Sequence, residues 1–353
     1  MANFFRADPV GSLVKPQALL AAEAACASGA LDQNGLEAAQ DAAVSQALAL
    51  QKDIGLTFVT DGELRRQDCD SPYVAAIAGV QRRDDDARKA GGGNVSAWQS
   101  PYRVTAGLRQ QKRLTEHESR YLQAHTKLPV KIALLAPSAL AWRMFEPGVT
   151  DAAYRGLSAL AVAFGEIIQR EIEALSSEGV RYIQLSCPAY AQLYGQSAFE
   201  ELLEVDIQML NRINRSVNTA LGLHIGRCAA TNPSADTFER MLESVLPRAP
   251  VDRFLLEYAD PQPHDFSSLG ALPAGKIAAL GLVSTDKDPE EPGELLSRFD
   301  QAAARTDERN LAISPRRGFS NDPQRTPEAS LALQRRSLQR TTEVVQQIWG
   351  LEF

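Results

Sequence analysis

Eight short apolar runs, which alternate with long patterns typical of helices, constrain the fold of this chain of 353 residues most strongly. Parallel strands covered on both faces read as near-continuous apolar runs. The strand candidates cover residues 4–8, 57–62, 130–137, 180–187, 221–228, 252–259, 276–284 and 310–315. The helix candidates cover residues 16–29, 34–54, 115–126, 151–178, 198–220, 235–246, 290–307 and 327–348. Eight strands in series with intervening helices predict an α/β fold, a (β/α)8 TIM barrel, as a single domain over residues 1–353.

One segment interrupts the alternation of strands and helices, between the second and third strand candidates. Residues 81–114 carry a charged run, then GGGN, then a short β-like pattern around WQSPYRVTAGL. The pattern predicts an inserted hairpin or lid-like excursion within the barrel. Its role as a lid or as an oligomer contact stays open.

Composition and charge narrow the possible partners. Apolar residues make up 44% and charged residues 23%, the balance of a globular protein with a large core. The 37 Lys and Arg against 44 Asp and Glu give a net charge of −7, which disfavours nucleic acid and membrane surfaces as partners. No apolar stretch reaches the roughly 18 residues of a membrane span, the first residues do not resemble a signal peptide, and the four cysteines are scattered. We expect a cytoplasmic protein with a small-molecule substrate, and a homo-oligomer or a partner protein stays open.

Polar side chains follow the predicted strands at the points where they end. In a barrel the active site forms at the C-terminal ends of the strands, so these residues are the first candidates. Each one alone is as typical of a solvated loop or a helix cap, but together they indicate a site. The candidates are Asp8, Asp61, Glu63, Ser138, Ser186, Cys187, Tyr190, His224, Cys228, Glu257, Ser284, Asp286, Lys287, Arg316 and Arg317. Trp142 and Tyr190 are candidates for stacking on a flat ligand, or for packing alone.

The strings at these strand ends resemble a known family. FRADPVGSL, TDGELRR, YIQLSCP, LHIGR, LLEYAD, LGLVSTDK and SPRRGF occur in the order and spacing of the cobalamin-independent methionine synthase family. The resemblance is to its single-domain members, which correspond to the C-terminal half, and it covers nearly the whole chain. It implies the barrel that this family shares with uroporphyrinogen decarboxylase, and methyl or alkyl transfer involving a thiol or a folate-like carrier.

The resemblance also implies a zinc site, and this chain departs from it. The family binds zinc through His, Cys, Glu and Cys, and the matching positions here are His224, Gly226, Glu257 and Arg317. Glycine has no ligand atom and a guanidinium is a permanent cation, while zinc normally takes three or four protein ligands. We therefore expect that the usual zinc site is absent.

Several readings of the remaining residues stay open. Zinc could be bound at a relocated site through His224, Cys228 and Glu257, or Cys187 could act as a thiolate nucleophile with His224 as its base. Both cysteines could equally be small buried side chains. Arg317 could form a two-pronged pair with Glu257, or bind a substrate carboxylate or phosphate together with Arg316.

A second departure concerns the substrate. Where the family has an Asp that helps to hold the amino group of an amino-acid thiol, this chain has Ser186, while Glu63, also associated with that amino group, is retained. We expect catalytic roles for His224, Glu257 and Cys187. The expected substrate-binding residues are Glu63, Asp61, Ser186, Arg316, Arg317, Tyr190 and Trp142.

Three functions follow as hypotheses. The first is a diverged methyl- or alkyl-transferring enzyme without the usual zinc, whose donor the residues do not identify. The second is a metal-free lyase or decarboxylase acting on a carboxylated molecule, as uroporphyrinogen decarboxylase does with Arg and Asp around the substrate acids. The third is a non-catalytic binding subunit.

Overall fold

A computed structural model describes residues 5–83, 99–227, 234–258 and 265–350 of the protein. The helices in these ranges are α1 (Gln17–Ala27), α2 (Gln33–Asp53), α3 (Ser71–Ala76), α4 (Glu116–His125), α5 (Pro137–Met144), α6 (Leu157–Ser177), α7 (Ala189–Leu193), α8 (Ser197–Arg212), α9 (Ala235–Val245), α10 (Pro292–Ala303) and α11 (Pro327–Trp349). The strands are β1 (Ile77–Arg82), β2 (Tyr102–Gln110), β3 (Lys131–Leu135), β4 (Tyr182–Ser186), β5 (Ala220–Ile225), β6 (Arg253–Glu257), β7 (Ile277–Val283) and β8 (Leu311–Pro315). Across the described ranges, no helix is long and apolar enough to cross a membrane.

The main sheet is parallel and confirms six of the eight predicted strands. Its order is β3-β4-β5-β6-β7-β8, so the strands follow one another as they do along the chain. The first two strand candidates contribute only single bridges, since Ala7 pairs in parallel with Ile313 and Val59 with Val130. Both segments are therefore shorter than their apolar runs predict.

The chain divides into two compact units. One comprises Met1–Arg65, His117–Ile132 and Asp252–Phe353, and contains β6, β7 and β8 with α1, α2, α4, α10 and α11. Its apolar core includes Val10, Leu255, Ile277, Ala279 and Ala312. The other comprises Arg66–Glu116 and Ala133–Val251, and contains the pair β1–β2, the strands β4 and β5, and the helices α3 and α5–α9.

Two helices differ from their predicted lengths for local reasons. Helix α6 begins at Leu157 rather than at residue 151, because Gly156 immediately before it has a φ of 90°, outside the helical region. Helix α8 ends at Arg212 rather than near residue 220. The following loop is fixed by side chains, since Ser216 N donates to Ser176 Oγ (2.8 Å) and Thr219 Oγ1 donates to Val180 O (2.8 Å).

The interruption predicted between the second and third strand candidates contains an antiparallel pair. Strands β1 and β2 pair with an irregularity at Gly79, whose φ of 98° and close approach to Ala106 O leave no room for a side chain. Glu146 binds Arg103 at 2.8 Å and also Arg83, which anchors β2 and the end of β1 to the loop after α5. The GGGN sequence lies in residues 84–98, outside the described residues.

Candidate functional site

An ion pair joins the ends of β6 and β8. Glu257 is the last residue of β6 and is largely buried, and Arg317 follows β8 with its side chain 44% exposed. Arg317 Nε lies 3.7 Å from Glu257 Oε1, while Arg317 Nη2 donates a hydrogen bond of 3.0 Å to Asp286 Oδ2. The two-pronged pair with Glu257 is therefore not formed, because Asp286 in the loop after β7 takes the hydrogen bond.

Arg316 has a different environment from its neighbour. Its Nη2 donates to Glu290 Oε1 at 2.7 Å and its Nε to Leu282 O at 3.3 Å, and the residue is buried. Ser284 also donates to Glu290, from its amide (2.9 Å) and its hydroxyl (2.5 Å). A guanidinium neutralised by a buried carboxylate is suited to holding these loops together. This environment does not fit the expected substrate-binding role of Arg316.

The loop that carries Asp61 and Glu63 has an unusual backbone. Asp61 Oδ1 accepts a hydrogen bond from Glu63 N at 3.0 Å. Gly62 and Glu63 have φ values of 71° and 57°, and the second is uncommon for a residue with a side chain. A Cβ at Gly62 would stand 2.7 Å from Leu13 Cβ, so glycine is required there. Non-glycine residues in this region are enriched at functional sites, which agrees with the predicted role of the loop.

Polar side chains share one face of β4 and β5. Ser186 and His224 are register partners in this parallel pair, and both are partly exposed. Gln184 lies two residues before Ser186, is 1% exposed, and donates from Nε2 to Ser186 Oγ at 3.0 Å. Gln184 is not among the residues predicted for the site, although a polar residue within an apolar strand is a recognisable signal in the sequence.

Cys187 and Tyr190 lie in a buried cluster with Ser138 and Asp206. Cys187 Sγ is 3.2 Å from Ser138 Oγ, and Tyr190 donates from its hydroxyl to Asp206 Oδ2 at 2.7 Å. Burial raises the pKa of the Cys187 thiol, and the nearby Asp206 raises it further. A thiol in these surroundings is the opposite of an activated nucleophile. The expected catalytic role of Cys187 does not fit this environment.

The aromatic candidates differ in exposure. The Tyr190 ring packs edge-on against Phe199 with centroids 5.8 Å apart, so it is part of the core rather than a stacking platform. Trp142 lies on α5 and is partly exposed. Its neighbour Arg143 is fixed by Asp70, with hydrogen bonds of 3.0 and 2.6 Å. Stacking of a ligand on Trp142 stays a prediction.

The residues at the ends of β6 and β8 do not fit the zinc site that the family resemblance implies. A guanidinium stands beside Glu257 where a thiolate ligand would be expected. Within the described ranges, no three His, Cys, Asp or Glu side chains come together in a group that could hold a metal ion. Cys228 lies outside these ranges, so the relocated zinc site stays a prediction.

A buried charged cluster was not predicted. Asp8, expected at the C-terminal ends of the strands, instead binds Lys131 and Arg253, the first residues of β3 and β6. Asp8 Oδ1 is 2.9 Å from Lys131 Nζ, and Arg253 Nε donates to Asp8 Oδ2 at 3.1 Å. All three side chains are inaccessible to solvent or nearly so. Burial lowers the pKa of Lys131 to about 8, although Asp8 opposes the shift.

A parallel sheet with helices between its strands and polar residues at their C-terminal ends makes the chain an α/β protein. The family described as "Cobalamin-independent synthase, Catalytic domain" matches residues 5–337, and the chain belongs to this family.

Related proteins extend over most of the chain. An uncharacterized protein of Bacillus subtilis (strain 168), YxjH, is 23% identical and covers 98% of this chain and 95% of its own length. The methionine synthase of Pyrococcus abyssi is 25% identical over 78% of this chain and 74% of its own.

Solved structures show the same fold. The putative vitamin-B12 independent methionine synthase of Listeria monocytogenes superposes with a TM-score of 0.76 at 19% identity, and covers 98% of each chain. A B12-independent methionine synthase of Shewanella sp. W3-18-1, in complex with selenomethionine, gives 0.75 at 21% identity, with 98% of this chain and 99% of the other covered. These likenesses confirm the predicted (β/α)8 barrel.

Proposed function

We propose that this chain catalyses methyl or alkyl transfer to a carboxylated small molecule that bears a thiol, with a folate-like carrier as donor, and without the zinc site of its family. The contact of 3.7 Å between Arg317 and Glu257 carries the proposal. The family resemblance assigns a metal ligand to both positions. Here Glu257 is retained, and the cationic side chain of Arg317 stands in place of the second ligand.

The charge on Arg317 argues against a metal ion at the same carboxylate. A guanidinium stays protonated throughout the physiological pH range and repels a divalent cation. Gly226 supplies no ligand atom, so only His224 and Glu257 remain of the four positions. Two protein ligands are fewer than zinc sites normally use.

Arg317 has hydrogen-bond donors for a substrate anion. A guanidinium carries five N–H donors, and among the described residues Arg317 uses one of them in a hydrogen bond, to Asp286. Its side chain is exposed enough to be reached from solvent. A cation beside a substrate thiol lowers the pKa of that thiol, which otherwise lies near 8.5. Arg317 therefore supplies part of the thiolate stabilisation that zinc supplies elsewhere in the family.

The proposed step balances without an oxidant. The thiol proton passes to the Glu257 carboxylate, and a sulfur electron pair forms the new S–C bond. The bond between that carbon and the donor nitrogen breaks, and its electron pair moves to the nitrogen, which then takes up a proton. His224, which the resemblance aligns with a family ligand, is a second candidate for the base.

The same exposed donors on Arg317 favour one alternative, a metal-free lyase or decarboxylase acting on a carboxylated molecule. Its products differ, since a lyase releases a fragment or carbon dioxide and forms no S-methyl group. A non-catalytic binding subunit would bind the same molecules without turnover.

Transfer of a labelled methyl group tests the proposal. Protein dialysed against EDTA is incubated with 5-methyltetrahydrofolate carrying a 13C-methyl group and with a panel of carboxylated thiols, and S-methyl signals are followed by NMR. We expect transfer that EDTA does not abolish and that Arg317→Ala reduces by about tenfold or more, which corresponds to about 1.4 kcal/mol of transition-state stabilisation. Arg309→Ala is the matched control, because Arg309 pairs with Asp307 at 2.6 Å on an exposed surface. Transfer that EDTA abolishes and zinc restores would contradict the proposal.

A further inference from the structure

The sheet carries a buried amide that the proposed step does not use. Gln184 and Ser186 are two residues apart on β4, so their side chains project from the same face. The hydrogen bond from Gln184 Nε2 to Ser186 Oγ directs the amide toward the C-terminal end of the strand. In a barrel this is the end at which substrates bind.

The other atom of this amide has no hydrogen-bond partner among the described residues. Gln184 Oε1 is buried, and within the ranges that the structure describes no residue donates a hydrogen bond to it. The register partner of Gln184 on β5 is Gly222, which contributes no side chain at this level. Buried polar atoms normally form hydrogen bonds, and one that forms none destabilises the folded state. As far as the described residues go, this acceptor is available for a hydrogen-bond donor on a ligand.

We propose that Gln184 and Ser186 form a subsite for an uncharged hydrogen-bond donor on the substrate, such as an amide N–H or a hydroxyl group. Both side chains are neutral, and Ser186 stands where the family resemblance expects a carboxylate. Neutral acceptors offset the desolvation of an N–H or O–H group but not that of an ammonium ion. The subsite therefore selects against a free amino acid. This inference rests on the proposed function, whose substrate class it defines more narrowly.

Three thiols of matched length separate the possibilities. Homocysteine carries an ammonium group, N-acetylhomocysteine carries a neutral N–H at the same carbon, and 4-mercaptobutyrate carries neither. By titration calorimetry we expect the wild type to bind N-acetylhomocysteine about tenfold or more tightly than homocysteine. Gln184→Met should lower this affinity to that for 4-mercaptobutyrate, and Ser186→Asp should shift the preference to homocysteine. Equal or tighter binding of homocysteine by the wild type, or an unchanged preference in Gln184→Met, would overturn the subsite.

Thermal unfolding of the ligand-free protein gives an independent test. Gln184→Met removes an unsatisfied acceptor, so we expect its Tm to be unchanged or higher. The matched control is Gln51→Met. Gln51 is equally buried, but its Nε2 donates to Ala47 O (3.0 Å) and Thr60 O (2.8 Å), and its Oε1 accepts from Thr60 N (3.0 Å). We expect Gln51→Met to lower the Tm by several °C, and an equal fall in Gln184→Met would assign Gln184 a structural role and overturn the inference.

Failure of the subsite and failure of the proposed function have different signatures. If 4-mercaptobutyrate binds and its binding requires Arg317, the proposed function is supported. If N-acetylhomocysteine is then not preferred, the subsite is overturned. If none of the three thiols binds, the proposed function fails. The comparison of Gln184→Met with Gln51→Met then still decides whether Gln184 has a structural role, which would overturn the inference.

Discussion

Arg317 Nε lies 3.7 Å from Glu257 Oε1, so a permanent cation stands beside a carboxylate that the family resemblance assigns to zinc. Arg317 also donates to Asp286 Oδ2 at 3.0 Å, and two carboxylates thus share one guanidinium. The distance to Glu257 is too long for a hydrogen bond, and the cation is partly exposed. Such a pair contributes little to stability and can rearrange around a substrate anion.

Removal of the Arg317 cation should affect binding more than folding. We expect Arg317→Ala to weaken the binding of 4-mercaptobutyrate by about tenfold or more, because the carboxylate and the thiolate of the ligand lose their cation. The free energy of unfolding should change by less than about 1 kcal/mol, because the Arg317 side chain is 44% exposed and donates its hydrogen bond to the exposed Asp286. Calorimetry and urea unfolding measure the two effects, with Arg335→Ala as the control, since Arg335 forms an exposed pair with Asp53 at 2.8 Å. Unchanged affinity in Arg317→Ala would remove Arg317 from the site.

The buried cluster at Asp8 should respond unequally to removal of its members. Asp8→Ala leaves Lys131 and Arg253 as two buried cations without their shared carboxylate, and we expect a loss of about 3–5 kcal/mol in urea unfolding. Lys131→Met leaves Asp8 paired with Arg253 and should cost less. Asp307→Ala, which removes an exposed carboxylate, should leave stability nearly unchanged. Equal losses for Asp8→Ala and Lys131→Met would contradict this account of the cluster.

Lys131 should make stability depend on pH in the alkaline range. Burial lowers its pKa to about 8, below the ordinary value of about 10.4 in the unfolded chain. Between these two pKa values the unfolded state binds more protons than the native state. The contribution of Lys131 to the free energy of unfolding therefore rises with pH. It is complete above the unfolded pKa and is lost as the pH falls through about 8. We expect the unfolding free energy of the wild type to increase relative to that of Lys131→Met from pH 7 to pH 10, and a decrease would show that the shift has the opposite sign.

Cys187 should be inert toward alkylation in the native protein. Its thiol is fully buried, and burial raises its pKa, so the reactive thiolate is scarce. Cys26 and Cys69 are partly exposed and serve as internal references. We expect iodoacetamide at pH 7.5 to modify these two well before Cys187, as measured by peptide mass spectrometry. Modification of Cys187 as fast as that of Cys69 would restore the nucleophile hypothesis.

The strands could be predicted from the sequence where burial on both faces makes a continuous apolar run, as in β6 and β7. The first two candidates were predicted too long for local reasons. The first segment ends after one bridge because Pro9 has no N–H to donate to a neighbouring strand. The Asp8 side chain just before it is held by the buried cations Lys131 and Arg253. In the second segment, the left-handed backbone of Gly62 and Glu63 prevents continued pairing.

The site was predictable only in part. Opposite charges at Glu257 and Arg317 were expected to meet, and they do. The competing hydrogen bond that Arg317 donates to Asp286 depends on loop geometry that no local pattern encodes. Tyr190 follows β4 and was expected to be available to a ligand. Its hydroxyl instead binds Asp206, which comes from α8, sixteen residues further along the chain. A contact between separate helices cannot be read from residue order.

The zinc content of the purified protein shows whether Arg317 has replaced the metal of the family. Protein purified without chelators is analysed by inductively coupled plasma mass spectrometry. The double variant Gly226→Cys and Arg317→Cys, which restores the family's ligand set, serves as the matched control. We expect no stoichiometric zinc in the wild type and about one equivalent per chain in the double variant. One equivalent of zinc in the wild type, lost on Cys228→Ala, would contradict this expectation and establish the relocated site.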